Sequence, residues 1–116
     1  AIEDAKANAA RIRLHNAEFF CGDASDVAAR LAAEGTRPNL ITVDPPRKGL
    51  AEDVVRSIAG MGPARVVYVS CDPATLARDV KRFSELGYTV QKAAAVDLFP
   101  RTHHVESVVL MTRKEL

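Results

Sequence analysis

The stretch Val66–Asp79, VVYVSCDPATLARD, constrains this chain more than any other. Val66, Val67, Tyr68 and Val69 form an apolar, largely β-branched run, which suits a central parallel strand covered on both faces. Asp72 is a favourable N-cap and Pro73 a favourable first helical residue, because a fixed φ and a missing N–H cost nothing there. The spacing therefore predicts a strand over Val66–Ser70 feeding a helix over Pro73–Leu86, closed by Gly87, with Cys71 at the junction. In an open α/β sheet, ligands gather beyond the carboxyl ends of the strands. The positive end of the helix attracts a thiolate at Cys71, while the neighbouring Asp72 carboxylate opposes it. On position alone, a reactive thiol and a small apolar residue finishing a strand are equally consistent.

The same alternation extends in both directions. AIEDAKANAARIRL (1–14) has helical composition, with Ile2, Ala5, Ala9 and Ile12 at helical spacing, and lacks an N-cap, which reads as a cut end. Glu18–Cys21 reads as a short strand ending at Gly22-Asp23, and Asp26–Glu34 as a helix stopped by Gly35. Leu40–Val43 reads as a strand running into Asp44-Pro45-Pro46, and Glu52–Ala59 as a helix closed by Gly60 and Gly62. Tyr88–Val96 and His104–Thr112 follow as strands with no helix between them, so they should pair antiparallel. Strands alternating with helices imply βαβ units, and hence an α/β fold with a mostly parallel sheet and an antiparallel C-terminal strand pair.

Composition narrows the class. The chain has 116 residues, a formal net charge of +1 and no apolar run near the ~20 residues that span a bilayer. Two cysteines without an extracellular cue suggest reduced thiols and a cytoplasmic setting. His103 and His104 lack ligand spacing with other His or Cys residues, so no metal centre is expected. Arg47-Lys48, Lys81-Arg82 and Arg113-Lys114 read as solvated charge.

Three successive strands end in Asp23, Asp44 or Cys71, which places all three on one sheet edge. A carboxylate there can accept hydrogen bonds from an amino group or a ribose hydroxyl, though a capping role accounts for a lone Asp equally well. Pro45-Pro46 after Asp44 makes a stiff turn with two donors removed. In the last strand Glu106 shares a face with Val108 and Leu110. It is either at the wet end of the strand or partly buried, and the second state suits a general base.

Taken together, DPPRKGL (Asp44–Leu50), VSCDPATLARD (Val69–Asp79) and DLFPRTHHVESVVLM (Asp97–Met111), with GDA (Gly22–Ala24) as a weaker fourth, resemble the S-adenosylmethionine-dependent RNA uracil-5-methyltransferases. The resemblance covers essentially the whole chain, in family order. It implies a Rossmann-like methyltransferase fold, S-adenosyl-L-methionine as cofactor, and an RNA partner, with 23S ribosomal RNA expected ahead of transfer RNA. It further implies Cys71 as nucleophile, Glu106 as general base, and Asp23 and Asp44 as cofactor-pocket residues. The family's first strands, Gly-rich loop and N-terminal RNA-binding domain have no counterpart here, since Gly60-Met61-Gly62 lies between a helix and a strand. The chain is therefore expected to be the C-terminal portion of one catalytic domain, incomplete without the N-terminal part of the same protein and inactive alone. An amino-group nucleic-acid methyltransferase using the Asp-Pro-Pro turn, and a non-catalytic α/β module, are the competing readings.

Overall fold

A computed structural model describes residues 20, 22–97 and 105–114. The helix expected over 1–14, the strand expected over Glu18–Cys21 (apart from Phe20), Cys21, and the His103–His104 loop lie outside the described residues. The described elements are α1 (Ala24–Ala33), β1 (Leu40–Val43), α2 (Glu52–Met61), β2 (Arg65–Ser70), α3 (Pro73–Glu85), β3 (Tyr88–Asp97) and β4 (Val105–Arg113).

The four strands form one sheet in the order β1-β2-β4-β3. β1 and β2 are parallel, and β4 runs antiparallel to both β2 and β3. β1, β2 and β3 thus share one direction and β4 alone opposes it, which is the mostly parallel sheet with an antiparallel C-terminal pair that the sequence implies. The insertion of β4 between β2 and β3 is new. It follows from pairing across distant parts of the chain, to which local sequence is blind.

Local chemistry sets the element ends. α1 starts at Ala24, two residues before the expected Asp26, because the Asp23 carboxylate accepts a hydrogen bond from the Ser25 backbone N–H at 2.8 Å. α2 continues past Ala59 to Met61 and is closed by Gly62 in the left-handed conformation at φ 68°. α3 begins as expected, with Asp72 as N-cap and Pro73 in the first turn. β3 is interrupted by a register shift between Val90 and Lys92.

All three helices serve one face of the sheet. Val66 and Tyr68 of β2 and Val109 and Met111 of β4 meet Val54, Val55, Ile58 and Met61 of α2 and Phe83 of α3 in a single buried cluster. Burying each such side chain contributes roughly 1.5–3 kcal/mol. Phe83 and Tyr88 pack edge to face with centroids 6.0 Å apart, and the Tyr88 hydroxyl donates to the Pro63 carbonyl at 2.7 Å. On the opposite face Val67, Val69, Val108 and Leu110 are only half-buried, while Leu40 and Val96 are 52% and 40% exposed.

Candidate functional site

Because β1 and β2 are parallel, the residues following them lie side by side at one sheet edge. Asp44 follows β1 and Cys71 follows β2, and both are exposed. The turn at Cys71 is held from both sides. The buried Ser70 hydroxyl accepts from the Asp72 N–H at 3.1 Å and donates to the Asp72 carbonyl at 2.8 Å. The Asp72 carboxylate accepts from the Ala74 N–H at 2.9 Å and the Thr75 N–H at 3.4 Å. Its negative charge is thereby spent on orphan donors of the first helical turn.

Glu106 is half-buried on β4 and pairs across the sheet with Val96 of β3. The β2–β4 ladder pairs Ser70 with Ser107. The ladder stops there, so Cys71 and Glu106 are the residues that would form its next rung. Alternation puts Glu106 on the face of Val108, away from the helices.

Asp23 and Asp44 line a common cleft of ≈ 820 Å³ beside β1, with Leu31, Val43, Pro45 and Ile58 among its apolar walls. Cys71 and Glu106 are not part of that lining. The described site therefore has two parts, a cleft lined by two carboxylates and a strand end that carries Cys71 and, on β4, Glu106. The cleft has the size and character of a small-molecule site, mostly apolar with a few placed polar groups. A nucleoside-bearing cofactor fits that donor set: apolar walls suit a base and carboxylates accept from hydroxyl or amino groups. Asp23 keeps its cap role within that lining, with one carboxylate oxygen engaged by Ser25.

Behind the loop after β1 lies a polar cluster that the sequence reading passed over. Asp79 of α3 is fully buried. It accepts from the Tyr68 hydroxyl at 2.5 Å, the Leu50 N–H at 2.8 Å and Arg78 Nε at 3.1 Å, with Arg82 3.6 Å away. Burial, and then the hydrogen bond to Asp79, push the Tyr68 phenol above the ordinary tyrosine range. The available signal was a carboxylate on the apolar stripe of an amphipathic helix, between Leu76 and Phe83.

The profile of the tRNA (uracil-5-)-methyltransferase family matches residues 29–114. An uncharacterized RNA methyltransferase of Bacillus cereus is 54% identical over 115 residues, covering 99% of this chain and 25% of the relative. One from Streptococcus pyogenes serotype M18 is 50% identical over 114 residues, covering 98% of this chain and 25% of the relative. The crystal structure of Pyrococcus abyssi tRNA (uracil-54, C5)-methyltransferase in complex with S-adenosyl-L-homocysteine superposes with a TM-score of 0.79 at 36% identity, over 96% of this chain and 26% of that one. The chain thus spans about a quarter of the length of these relatives. With the fold, the order of its motifs and the family profile in agreement, this chain belongs to the tRNA (uracil-5-)-methyltransferase family.

Proposed function

We propose that the chain is the C-terminal portion of the catalytic domain of a cytoplasmic RNA methyltransferase acting on carbon 5 of a uridine. In this reading Cys71 is the nucleophile, Glu106 the general base, and Asp23 and Asp44 hold S-adenosyl-L-methionine in the cleft beside β1. The observation that supports it most is the β2–β4 register, which ends with Ser70 opposite Ser107 and leaves Cys71 and the half-buried Glu106 as the residues of the next rung. Either group alone has a bland explanation; a thiol and a carboxylate converging at one strand end are what uridine chemistry needs.

Carbon 5 of uracil is too weak a nucleophile to accept a methyl group unaided. The Cys71 sulfur adds to carbon 6 and pushes electron density onto carbon 5. When bound, the cofactor supplies an electrophilic methyl group. Glu106 then removes the carbon 5 proton, the ring electrons return, and the carbon–sulfur bond to Cys71 breaks. A base stacked in an RNA helix has to be flipped out to reach this rung. Arg47 and Lys48, exposed on the loop after β1, lie at the same sheet edge.

Full-length protein incubated with RNA containing 5-fluorouracil tests the reading, because fluorine cannot leave as a proton and the adduct is trapped. Mass spectrometry should place the cross-link on Cys71, with Cys71→Ala abolishing it. We take 23S ribosomal RNA as the first substrate to test and transfer RNA as the second. No cross-link with either RNA, or one surviving Cys71→Ala, overturns the assignment. The chain by itself is proposed to be inactive, since it spans only a quarter of its relatives' length.

A further inference from the structure

The loop after β1 poses a problem of backbone satisfaction. Pro45 and Pro46 donate nothing, and Gly49 is buried at φ 77°. Within the loop, the Gly49 N–H donates to the Pro46 carbonyl at 2.8 Å. Four more of its polar groups are met from α3. The Thr75 hydroxyl donates to the Arg47 carbonyl at 2.8 Å. Arg78 Nη2 donates to the Lys48 carbonyl at 2.7 Å and the Leu50 carbonyl at 3.3 Å. Asp79 takes the Leu50 N–H, and Tyr68 on β2 holds the same carboxylate oxygen.

We propose that Asp79 is a positioning residue: through Tyr68, Arg78 and the Leu50 amide it locks the Asp44–Leu50 loop to the helix that starts beside Cys71. An apolar residue at 79 would pack the stripe of Leu76, Val80 and Phe83 at least as well, and a buried carboxylate is costly to desolvate. What the carboxylate adds is direction. It accepts from β2, from the loop and from its own helix, so these three pieces keep one relative placement. Gly49 leaves no slack: a Cβ there would lie 2.6 Å from both Asp79 Oδ2 and Arg78 Nη2. The clamp thereby fixes the wall that carries Asp44 relative to the strand end that carries Cys71.

The inference rests on the methyltransferase reading for its consequence and on the described contacts for its existence, so the experiment has two arms. In full-length protein, Tyr68→Phe and Arg78→Ala each remove one member of the clamp and leave Asp79 with the others. Misplacing reacting groups by about 1 Å costs on the order of 10²-fold, so kcat should fall ~10- to 100-fold with the KM values for RNA and cofactor within about twofold. Arg78→Lys, which keeps a donor but not the fork, should recover part of the loss. Amide exchange should accelerate at Lys48–Leu50 and at Ala74–Thr75 while Val66 and Val109 keep their protection, because a local clamp opens locally. Parental kcat in both variants overturns the positioning role, and exchange that rises equally across the core shows Asp79 to be a general stabiliser. Absence of turnover in the parental protein would count against the methyltransferase reading, leaving the exchange arm to decide the clamp.

Discussion

Gly49→Ala tests the packing behind the loop directly, and Gly35→Ala is its control. Both glycines have positive φ, 77° and 81°, so each alanine meets the left-handed penalty of roughly 1–2 kcal/mol, partly offset by about 0.4–1 kcal/mol of lost unfolded-state freedom. At Gly35 nothing lies within 4 Å of the added Cβ, so the backbone term stands alone. At Gly49 the Cβ meets Arg78 Nη2 and Asp79 Oδ2 at 2.6 Å and Thr75 Cβ at 3.2 Å. The Arg78 side chain is 42% exposed and can swing aside, but the Asp79 side chain is 0% exposed and pinned by Tyr68 and Leu50. Shifting it breaks at least one hydrogen bond to a buried carboxylate, about 1–3 kcal/mol. Gly49→Ala should therefore destabilise the chain by about 2–4 kcal/mol, against under ~1.5 kcal/mol for Gly35→Ala. Urea titration of both variants reads the difference, and unchanged m-values would show that the native state is what changed. Equal losses within ~0.5 kcal/mol would refute the argument that Asp79 is immovable.

The tyrosines give an alkaline signature. Burial raises both Tyr68 and Tyr88 above their unfolded value of 10.0, so their contribution is complete below that pH and is lost as pH rises from there through the folded values. Each should steepen the alkaline loss of stability by up to ~1.4 kcal/mol per pH unit, and Tyr68→Phe should lower that slope in urea titrations above about pH 10; an unchanged slope would contradict the burial of Tyr68. Glu106→Gln should still let the RNA adduct form but slow its resolution by ~10²- to 10⁴-fold, seen as accumulated methylated RNA–protein complex; normal turnover would reduce Glu106 to a strand-end carboxylate. Calorimetry of the 116-residue chain with S-adenosyl-L-methionine should show no binding at micromolar concentrations, and micromolar affinity would show that the rest of the relatives' length is dispensable for the cofactor.

The parts of the fold that were legible in sequence are those governed by neighbours along the chain. Val66–Ser70 and Pro73 onward could be read because β-branching, an Asp cap and a first-turn Pro all act locally. Asp44 and Cys71 could be placed on one edge because parallel strands leave no other arrangement. Glu106 was legible as an anomaly in its strand, but its place beside the end of β2 needed the β2–β4 register, and that register depends on β4 entering between β2 and β3. Asp79 was hidden differently. Its partners Tyr68 and Leu50 are distant in sequence, and a charged residue in a helix reads as surface until its place on the apolar stripe is counted.

β2 is apolar on both faces, Val66 and Tyr68 toward the helices and Val67 and Val69 away from them. A one-sided sheet would put polar residues at the second pair of positions, and neither is polar. Val108 and Leu110 of β4 continue the patch, and Leu40 and Val96 extend it outward. α1, α2 and α3 are committed to the other face, so β2's two-sided pattern calls for a second layer beyond the described residues. Glu106, and with it the rung it would share with Cys71, belongs to this second face, whereas the Asp79 clamp belongs to the first. The proposed nucleophile thus follows a strand that carries the described helices on one face and would carry the second layer on the other. One layer fixes its helix and the neighbouring loop, and the other would have to shield the rung from water before a thiolate and a carboxylate could act on the same ring.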